Sequence, residues 1–138
     1  MRTNGNAFFS ILLMSVLIAL ATCPAGGAAE PVKPARSDFQ SLEGRWIRPD
    51  GGYVLDLKDV RPDGSLKAAY FNPRPIRVHR AEAAKKDGAI TLFVELRDVN
   101  YPGSTYRLQY DTARDRLTGT YFQAVERQTF NIQFLRSR

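Results

Sequence analysis

Residues 89–111 read AITLFVELRDVNYPGSTYRLQYD, in which two alternating runs flank the segment Asn100-Tyr101-Pro102-Gly103. Large aliphatic side chains occupy every second position of the first run, and tyrosine and leucine do so in the second. A period of two is typical of β-strands with one buried face. Proline fixes φ and glycine accepts a positive φ, so Pro102 and Gly103 suit the centre of a tight turn. The stretch therefore predicts a β-hairpin.

The same unit recurs along the rest of the chain and predicts eight strands. Turn-forming segments such as Pro49-Asp50-Gly51-Gly52 and Asp87-Gly88 separate the alternating runs. One strand is irregular, because strict alternation would bury Arg80 and Glu82, and we expect a bulge or an early end there. The predicted strands cover residues 45–48, 53–60, 65–71, 76–86, the two runs within 89–111, 116–125 and 129–136.

Eight short strands leave no room for crossover helices and favour an antiparallel meander. Closure into a barrel would remove the exposed sheet edges. The predicted fold class is therefore all-β, an eight-stranded antiparallel up-and-down β-barrel, with an open sheet or an OB-like barrel as the alternative. Before the first strand, Phe39 and Leu42 follow a capping residue and are spaced for one helical turn, which could plug one end of the barrel.

The N-terminal segment predicts export. Arg2 precedes an apolar run at residues 7–21, which is shorter than the roughly 20 apolar residues of a membrane-spanning helix and is followed by small residues. This pattern is typical of a cleaved signal peptide. It divides the chain into a signal peptide at 1–29, a proline-containing tether at 30–37 and a β-barrel domain at 38–138. The expected location is the periplasm or the cell envelope.

Lipidation is the alternative route of processing. The segment Leu20-Ala21-Thr22-Cys23 resembles a bacterial lipobox, so Cys23 is the candidate lipidation site, and contact with a membrane is expected only if Cys23 carries the lipid. Cys23 is also the only cysteine of the chain. The domain therefore relies on its core and not on disulfides.

The chain has a net charge of +6, and a basic balance is typical of proteins that bind nucleic acid. Export argues against that partner, and the cations are spread along the sequence. No nucleic acid partner is expected. Two interpretations of the positive charge remain. It forms a solvated basic face, or it attracts the protein to an anionic envelope surface or an acidic protein.

The segment Gly44-Arg45-Trp46 resembles the G-x-W motif that opens the first strand of calycins, the superfamily of lipocalins, fatty-acid-binding proteins and avidins. The resemblance implies a barrel in which the tryptophan packs at the closed end against a basic residue of the last strand, for which Arg136 is the candidate. Residues 117–121 (LTGTY) are similar to a stretch of avidins that lies on their second strand. Here the stretch lies on the predicted seventh strand, so no biotin-contact residues are carried over. The chain most resembles small calycin-like envelope proteins of Gram-negative bacteria.

Catalysis is poorly supported by the sequence. His79 is the only histidine, it lies on the face opposite Ile76 and Val78, and processing leaves no thiol. The carboxylates show no calcium-loop spacing, and one histidine without cysteines does not make a transition-metal set. We therefore expect no enzyme activity, no catalytic residues, no metal and no cofactor.

The candidate ligand-binding residues are tyrosines that share phase with the core aliphatics, together with one arginine. Buried phenol hydroxyls need partners, and an eight-stranded barrel either fills its interior or holds one small ligand. Arg74 lies between two prolines, which would hold its side chain in an exposed position suited to binding an anion. The leading expectation is a module that binds a small hydrophobic or amphipathic molecule, such as a lipid. The residues expected to contact this ligand are Tyr53, Tyr70, Tyr106, Tyr110, Tyr121 and Arg74.

The alternative is an interaction protein with a filled core. Phe71, Phe93 and Phe122 point outward on three strands, and arginines lie on the strands between them. Exposed aromatics that lie close together mark interfaces. In this interpretation these three phenylalanines contact a protein partner or a second copy in a homodimer.

Overall fold

Nine antiparallel strands and one turn of 3-10 helix make up residues 37–138, the part of the chain that a computed structural model describes. The 3-10 helix spans Asp38–Leu42. The strands are β1 (Gly44–Ile47), β2 (Val54–Lys58), β3 (Lys67–Asn72), β4 (Arg74–Ile76), β5 (Val78–Lys86), β6 (Ala89–Asp98), β7 (Tyr101–Asp111), β8 (Arg116–Gln123) and β9 (Gln128–Arg136). The predicted signal peptide, Cys23 and residues 30–36 of the predicted tether lie outside the described residues. No helix within residues 37–138 is long and apolar enough to span a membrane.

The strands form one sheet in the order β4-β3-β2-β1-β9-β8-β7-β6-β5. Each strand pairs with the next one along the chain, except that β4 does not pair with β5. The pairing of β1 with β9 joins the two halves, with Trp46 opposite Arg136. The prediction of an all-β, antiparallel meander is confirmed. An OB-like order of strands is not what the sheet shows.

The sheet ends in β4 and β5, and the gap between these two edges is the seam of the barrel. A loop crosses it, because the Ala83 N–H donates a hydrogen bond to the Gly64 carbonyl at 2.8 Å. Ser65 and Glu82 form an isolated antiparallel bridge beside that bond. The barrel is therefore nearly closed, by one bridge and one loop contact instead of a full ladder.

The prediction of eight strands is wrong, because an additional strand, β4, forms where the chain was expected only to turn, and it overlaps the predicted fourth strand at Ile76 alone. Arg74–Ile76 turns back to pair with β3, with Pro75 opposite Phe71. The break falls at Arg77, whose N–H is bound by the carboxylate of Asp98 at 2.8 Å instead of by a strand. Proline has no backbone N–H to donate, so it is tolerated in an edge strand such as β4. The irregularity expected in this region is present as a register shift between Val78 and Arg80.

The hairpin of residues 89–111 is confirmed, but the centre of its turn lies three residues earlier than predicted. β7 already begins at Tyr101, and Val99 and Asn100 form the turn, with Asn100 at φ 69°. Asp98 supports this turn by accepting a hydrogen bond from the Val99 N–H at 2.7 Å. Gly103, at φ 92°, is the extra residue of a β-bulge between the Leu96 and Arg97 pairs. The proline and glycine thus bend the strand instead of turning it.

The core lies inside the barrel and follows the alternation of the strands. Every second residue of β6 is buried, as predicted from the sequence. Loops divide the barrel surface into two ends. The helix end carries the 3-10 helix, the β2–β3 loop, and the β5–β6 and β7–β8 turns. The far end carries the β1–β2, β3–β4, β6–β7 and β8–β9 turns.

Closure of the seam predicts a specific role for Gly64. A Cβ at Gly64, which has φ +85°, would lie 2.1 Å from the carbonyl oxygen of Ala83. Gly88 has a similar φ of +78°, but nothing lies within 4 Å of its Cβ position. Gly64→Ala should lower the free energy of unfolding by about 1–3 kcal/mol more than Gly88→Ala, because both carry the backbone strain and only the first carries the clash. Denaturant unfolding measures the difference, and equal losses would show that the seam contact is unimportant.

Candidate functional site

The helix end of the barrel is organised by Trp46 and Arg136. The Trp46 side chain is fully buried, and the guanidinium carbon of Arg136 lies 4.1 Å from the centre of its ring. The indole N–H donates a hydrogen bond to the carbonyl of Leu42 at 2.9 Å, which attaches the 3-10 helix. The contact between tryptophan and a basic residue of the last strand, which the calycin resemblance implies, is present.

Arg136 also satisfies backbone and side-chain acceptors around that end. It donates to the carbonyls of Ser41 and Glu43 and, at 2.7 Å, to the carboxylate of Asp115. The hydrogen bond from Arg136 holds the pKa of Asp115 below its usual range. The Tyr110 hydroxyl donates to the other Asp115 oxygen at 2.8 Å. Tyr110, a predicted ligand-binding residue, therefore belongs to the helix end.

The other four predicted tyrosines lie together nearer the far end. Tyr106 is at their centre, with ring centroids 4.5 Å from Tyr121 and 5.6 Å from Tyr70. Tyr53 stacks on Tyr70 at 6.4 Å. The hydroxyls of Tyr70 and Tyr106 are 2.8 Å apart and share a hydrogen bond. Four of the five predicted tyrosines thus lie in contact, and we call them the tyrosine cluster: Tyr53, Tyr70, Tyr106 and Tyr121.

Arg48 is the residue of this site that the sequence analysis missed. Its side chain is only 8% exposed, and its Nη1 donates to the hydroxyl of Tyr106 at 3.0 Å. The guanidinium carbon lies 4.4 Å from the ring centre of Tyr53 and 5.6 Å from that of Tyr121. A signal was available, since Arg48 shares the inward phase of Trp46 two residues earlier.

Asp50 is the only carboxylate paired with Arg48 among the described residues. Its two oxygens accept hydrogen bonds from Nε at 2.9 Å and Nη2 at 2.6 Å. The Asp50 side chain is 55% exposed, so the pair joins a buried cation to an anion at the surface. Burial disfavours the charge of Arg48, yet the hydrogen bonds to Asp50 and Tyr106 outweigh it and raise its pKa. The same contact lowers the pKa of Asp50.

The interior around the tyrosine cluster is filled. Tyr70 is 1% exposed and Tyr106 is fully buried. No member of the tyrosine cluster lines any of four prominent clefts on residues 37–138. Of the two possibilities that the sequence left open, the packing corresponds to a filled core with hydroxyls bonded to one another.

The largest of the four clefts, of about 1100 Å³, lies at the helix end. Its lining is mostly polar, and two ion pairs occupy part of it, Lys85 with Asp38 and Arg114 with Asp111. A smaller cleft of about 440 Å³ lies on the outer wall beside Phe93.

The predicted outer residues lie on the wall and the edge strand. Phe93 is flanked by Arg107 at 5.1 Å and Arg80 at 5.7 Å, measured from guanidinium carbon to ring centre. Phe71 is half-buried, and Phe122 is 37% exposed. Arg74, a predicted ligand-binding residue, is exposed on β4 and is not part of the tyrosine cluster. His79 is exposed on β5. Within residues 37–138 no three His, Cys, Asp or Glu side chains group closely enough to hold a metal ion.

No protein-family model matches the chain, and no curated protein or solved structure matches it significantly.

The helix end should depend on Arg136 for stability. Arg136→Gln leaves the carbonyls of Ser41 and Glu43 without their donor and should lower the free energy of unfolding by about 2–3 kcal/mol. Arg45→Gln on the outward face of β1 is the matched control and should change it by less than about 0.5 kcal/mol. Denaturant unfolding of both variants makes the comparison, and a loss shared equally would remove Arg136 from this role.

Alkaline titration should reveal the tyrosine cluster. Burial is the main cause that raises the pKa of Tyr106 to about 12, from its ordinary value of 10.0. The neutral phenol therefore stabilises the fold fully below pH 10, and that contribution is lost as the pH rises towards 12. Absorbance at 295 nm should show a late tyrosinate step that Tyr106→Phe lacks. A titration curve that is the same in the variant would contradict this.

Proposed function

We propose that this protein is an exported calycin-like binding module that takes a small amphipathic ligand with a negative charge at the far end of its barrel. The observation that carries the proposal is the buried guanidinium of Arg48, placed among aromatic rings next to an exposed carboxylate. The family, the export and the envelope location rest on the sequence pattern. We propose no catalytic step.

A buried arginine is costly unless its charge and its donors are satisfied. Arg48 has five N–H groups, and Asp50 and Tyr106 accept three hydrogen bonds from them. The remaining N–H groups make no hydrogen bond with the described residues. An arginine fork matches a carboxylate or phosphate geometrically, so an anionic headgroup is the ligand chemistry that it suits.

The apolar part of such a ligand would lie against aromatic rings at the far end. Phe130 stacks on Tyr121, with ring centroids 6.5 Å apart, although it is 41% exposed. Tyr53 is half-buried beside Arg48. Because Tyr70 and Tyr106 fill the space below, the ligand would occupy the end of the barrel and not its depth. The proposed site would therefore use Tyr53 and Tyr121 of the tyrosines expected from the sequence.

Asp50 holds the position that the anionic group of a ligand would take. Its carboxylate binds Arg48 through two hydrogen bonds, and more than half of its side chain is in water. Displacement returns Asp50 to solvent without leaving a buried charge behind. The ligand therefore competes with an internal carboxylate, which weakens binding but keeps Arg48 neutralised when the site is empty.

Calorimetric titration with decanoate tests this proposal, with decanol as the uncharged probe. Arg48→Met removes the cation at similar size and should weaken decanoate binding at least about tenfold, whereas decanol binding should stay the same. Asp50→Asn removes the competing charge at constant shape and should strengthen decanoate binding. Circular dichroism confirms that both variants are folded. Unchanged decanoate affinity in folded Arg48→Met would overturn the proposal.

The filled interior favours a second candidate, an interaction protein that uses its outer aromatic and basic face. Phe93 between Arg80 and Arg107, and the half-exposed Phe122, would form that surface. Failure of the wild-type protein to bind decanoate, together with self-association in sedimentation velocity, would favour this candidate over the first.

A further inference from the structure

A row of uncharged side chains crosses the outer wall of the barrel. Its members are direct register partners from β5 to β9, and each one follows a buried residue of its strand and therefore points outward. We call them the wall row: Ala84, Thr91, Gln109, Thr118 and Gln133. Neighbouring strands lie about 4.8 Å apart, so a row across five strands is about 19 Å long.

The wall row is the floor of a transverse groove. Its first four members line a cleft of about 440 Å³, and its last two line a cleft of about 430 Å³. Thr118 belongs to both clefts and also to the large cleft at the helix end. Longer side chains flank the row two positions away along the strands. They are Glu82, Phe93 and Arg107 on the side of the far end, and Lys86, Asp111 and Arg116 on the side of the helix end.

The floor of the groove offers hydrogen bonds without charge. Threonine hydroxyls and glutamine amides both donate and accept. Within residues 37–138 the side chains of Gln109 and Thr118 form no hydrogen bond with another residue. Thr91 donates to the carbonyl of Ala84 at 3.2 Å and keeps its acceptor positions. The hydroxyls of a sugar also donate and accept, so this floor suits a saccharide better than an ion or an apolar chain.

The charged side chains of the groove leave two cations unpaired. Three of the five that line the two wall clefts belong to ion pairs within the chain. These pairs are Asp50 with Arg48, Glu82 with Arg80, and Arg116 with Asp111. The other two, Lys86 and Arg107, form no ion pair with another described residue, and both line the cleft beside Phe93. A guanidinium fork such as that of Arg107 matches a carboxylate geometrically.

We infer that the transverse groove binds an extended acidic oligosaccharide, a linear chain of sugars that carry carboxylates. The wall row binds the sugar hydroxyls, and Arg107 and Lys86 bind the carboxylates. A peptide fits this wall less well. An extended peptide binds a sheet by adding a strand to its edge, and β6 to β9 are each paired on both sides. A single small carboxylate would use one cation and leave most of the floor uncovered.

The inference goes beyond the proposed ligand site and does not depend on it. Arg48 points into the barrel, whereas the wall row lies on the outside. Asp50 borders both sites, and for that reason the variants chosen for the groove leave it unchanged. The second candidate function shares Phe93 and Arg107 with the groove, so a second copy of the chain would compete for the same surface.

Calorimetric titration with tetragalacturonate tests the inference, with two probes of four units as controls. Maltotetraose has the hydroxyls without the carboxylates, and tetraglutamate has the carboxylates without the sugar hydroxyls. The wild-type protein should bind tetragalacturonate at least about tenfold more tightly than either control. Added salt should weaken this binding, because exposed charges are screened. Equal affinity for either control would overturn the inference.

Two variants locate the binding, each with a matched control. Thr118→Tyr fills the floor and should weaken tetragalacturonate binding at least about tenfold, whereas Thr129→Tyr, outward on β9 but outside the groove, should bind as the wild type does. Arg107→Gln removes one cation and should weaken binding about fivefold or more. Arg45→Gln makes the same change on the outer face of β1 and should have no effect. Circular dichroism confirms that the variants are folded.

Unchanged tetragalacturonate affinity in folded Thr118→Tyr or in Arg107→Gln, or no binding by the wild type, would overturn the inference. A wild-type dimer in sedimentation velocity that Thr118→Tyr disrupts, without any binding of tetragalacturonate, would also overturn it, because a second copy would then occupy the groove. Arg48→Met should bind tetragalacturonate as the wild type does, and Thr118→Tyr should retain decanoate binding. The groove and the proposed ligand site therefore fail separately.

Discussion

The contact between Arg136 and Trp46 is the interaction on which the rest of the barrel depends. It joins the last strand to the first, and the two residues are also register partners in the sheet. One guanidinium covers the indole ring, binds the carbonyls that end the 3-10 helix and pairs with Asp115. Removing it would expose the core, release the helix and leave several acceptors unpaired at once. The helix end is thus closed by a single side chain with many partners.

A second arginine, Arg48, follows β1 directly and shares the inward phase of Trp46, but it lies towards the far end of the barrel. Both arginines lie close to aromatic rings and bind one carboxylate, yet they differ in what surrounds them. Arg136 donates to two backbone carbonyls at the end of the 3-10 helix, Ser41 and Glu43, and to Asp115. Arg48 donates to one tyrosine hydroxyl and to an aspartate that is mostly in water. The first arrangement joins several parts of the chain, whereas the second joins a buried cation to a carboxylate that is mostly in water.

Periodicity predicted much of this architecture, and its errors have physical causes. The alternation within residues 89–111 gave the correct buried face, because burial on one side imposes a period of two. It could not place the turn, since Asp98 and the bulge at Gly103 act through hydrogen bonds that alternation does not report. The break at Arg77 depends on the side chain of Asp98, which is distant in sequence. Arg48 escaped notice because charged residues are expected outside, although its phase with Trp46 placed it inside.

The order of the strands also governs when the barrel can form. Every ladder except one joins neighbours along the chain, and hairpins of that kind assemble quickly. The exception pairs β1 with β9, so the two halves of the sheet stay separate until the C-terminal strand is available. A ribosome therefore releases a chain whose hairpins have formed but whose wall is still open. Until β9 pairs with β1, each of these two strands keeps one unpaired edge, so closure of the wall is the last step of folding.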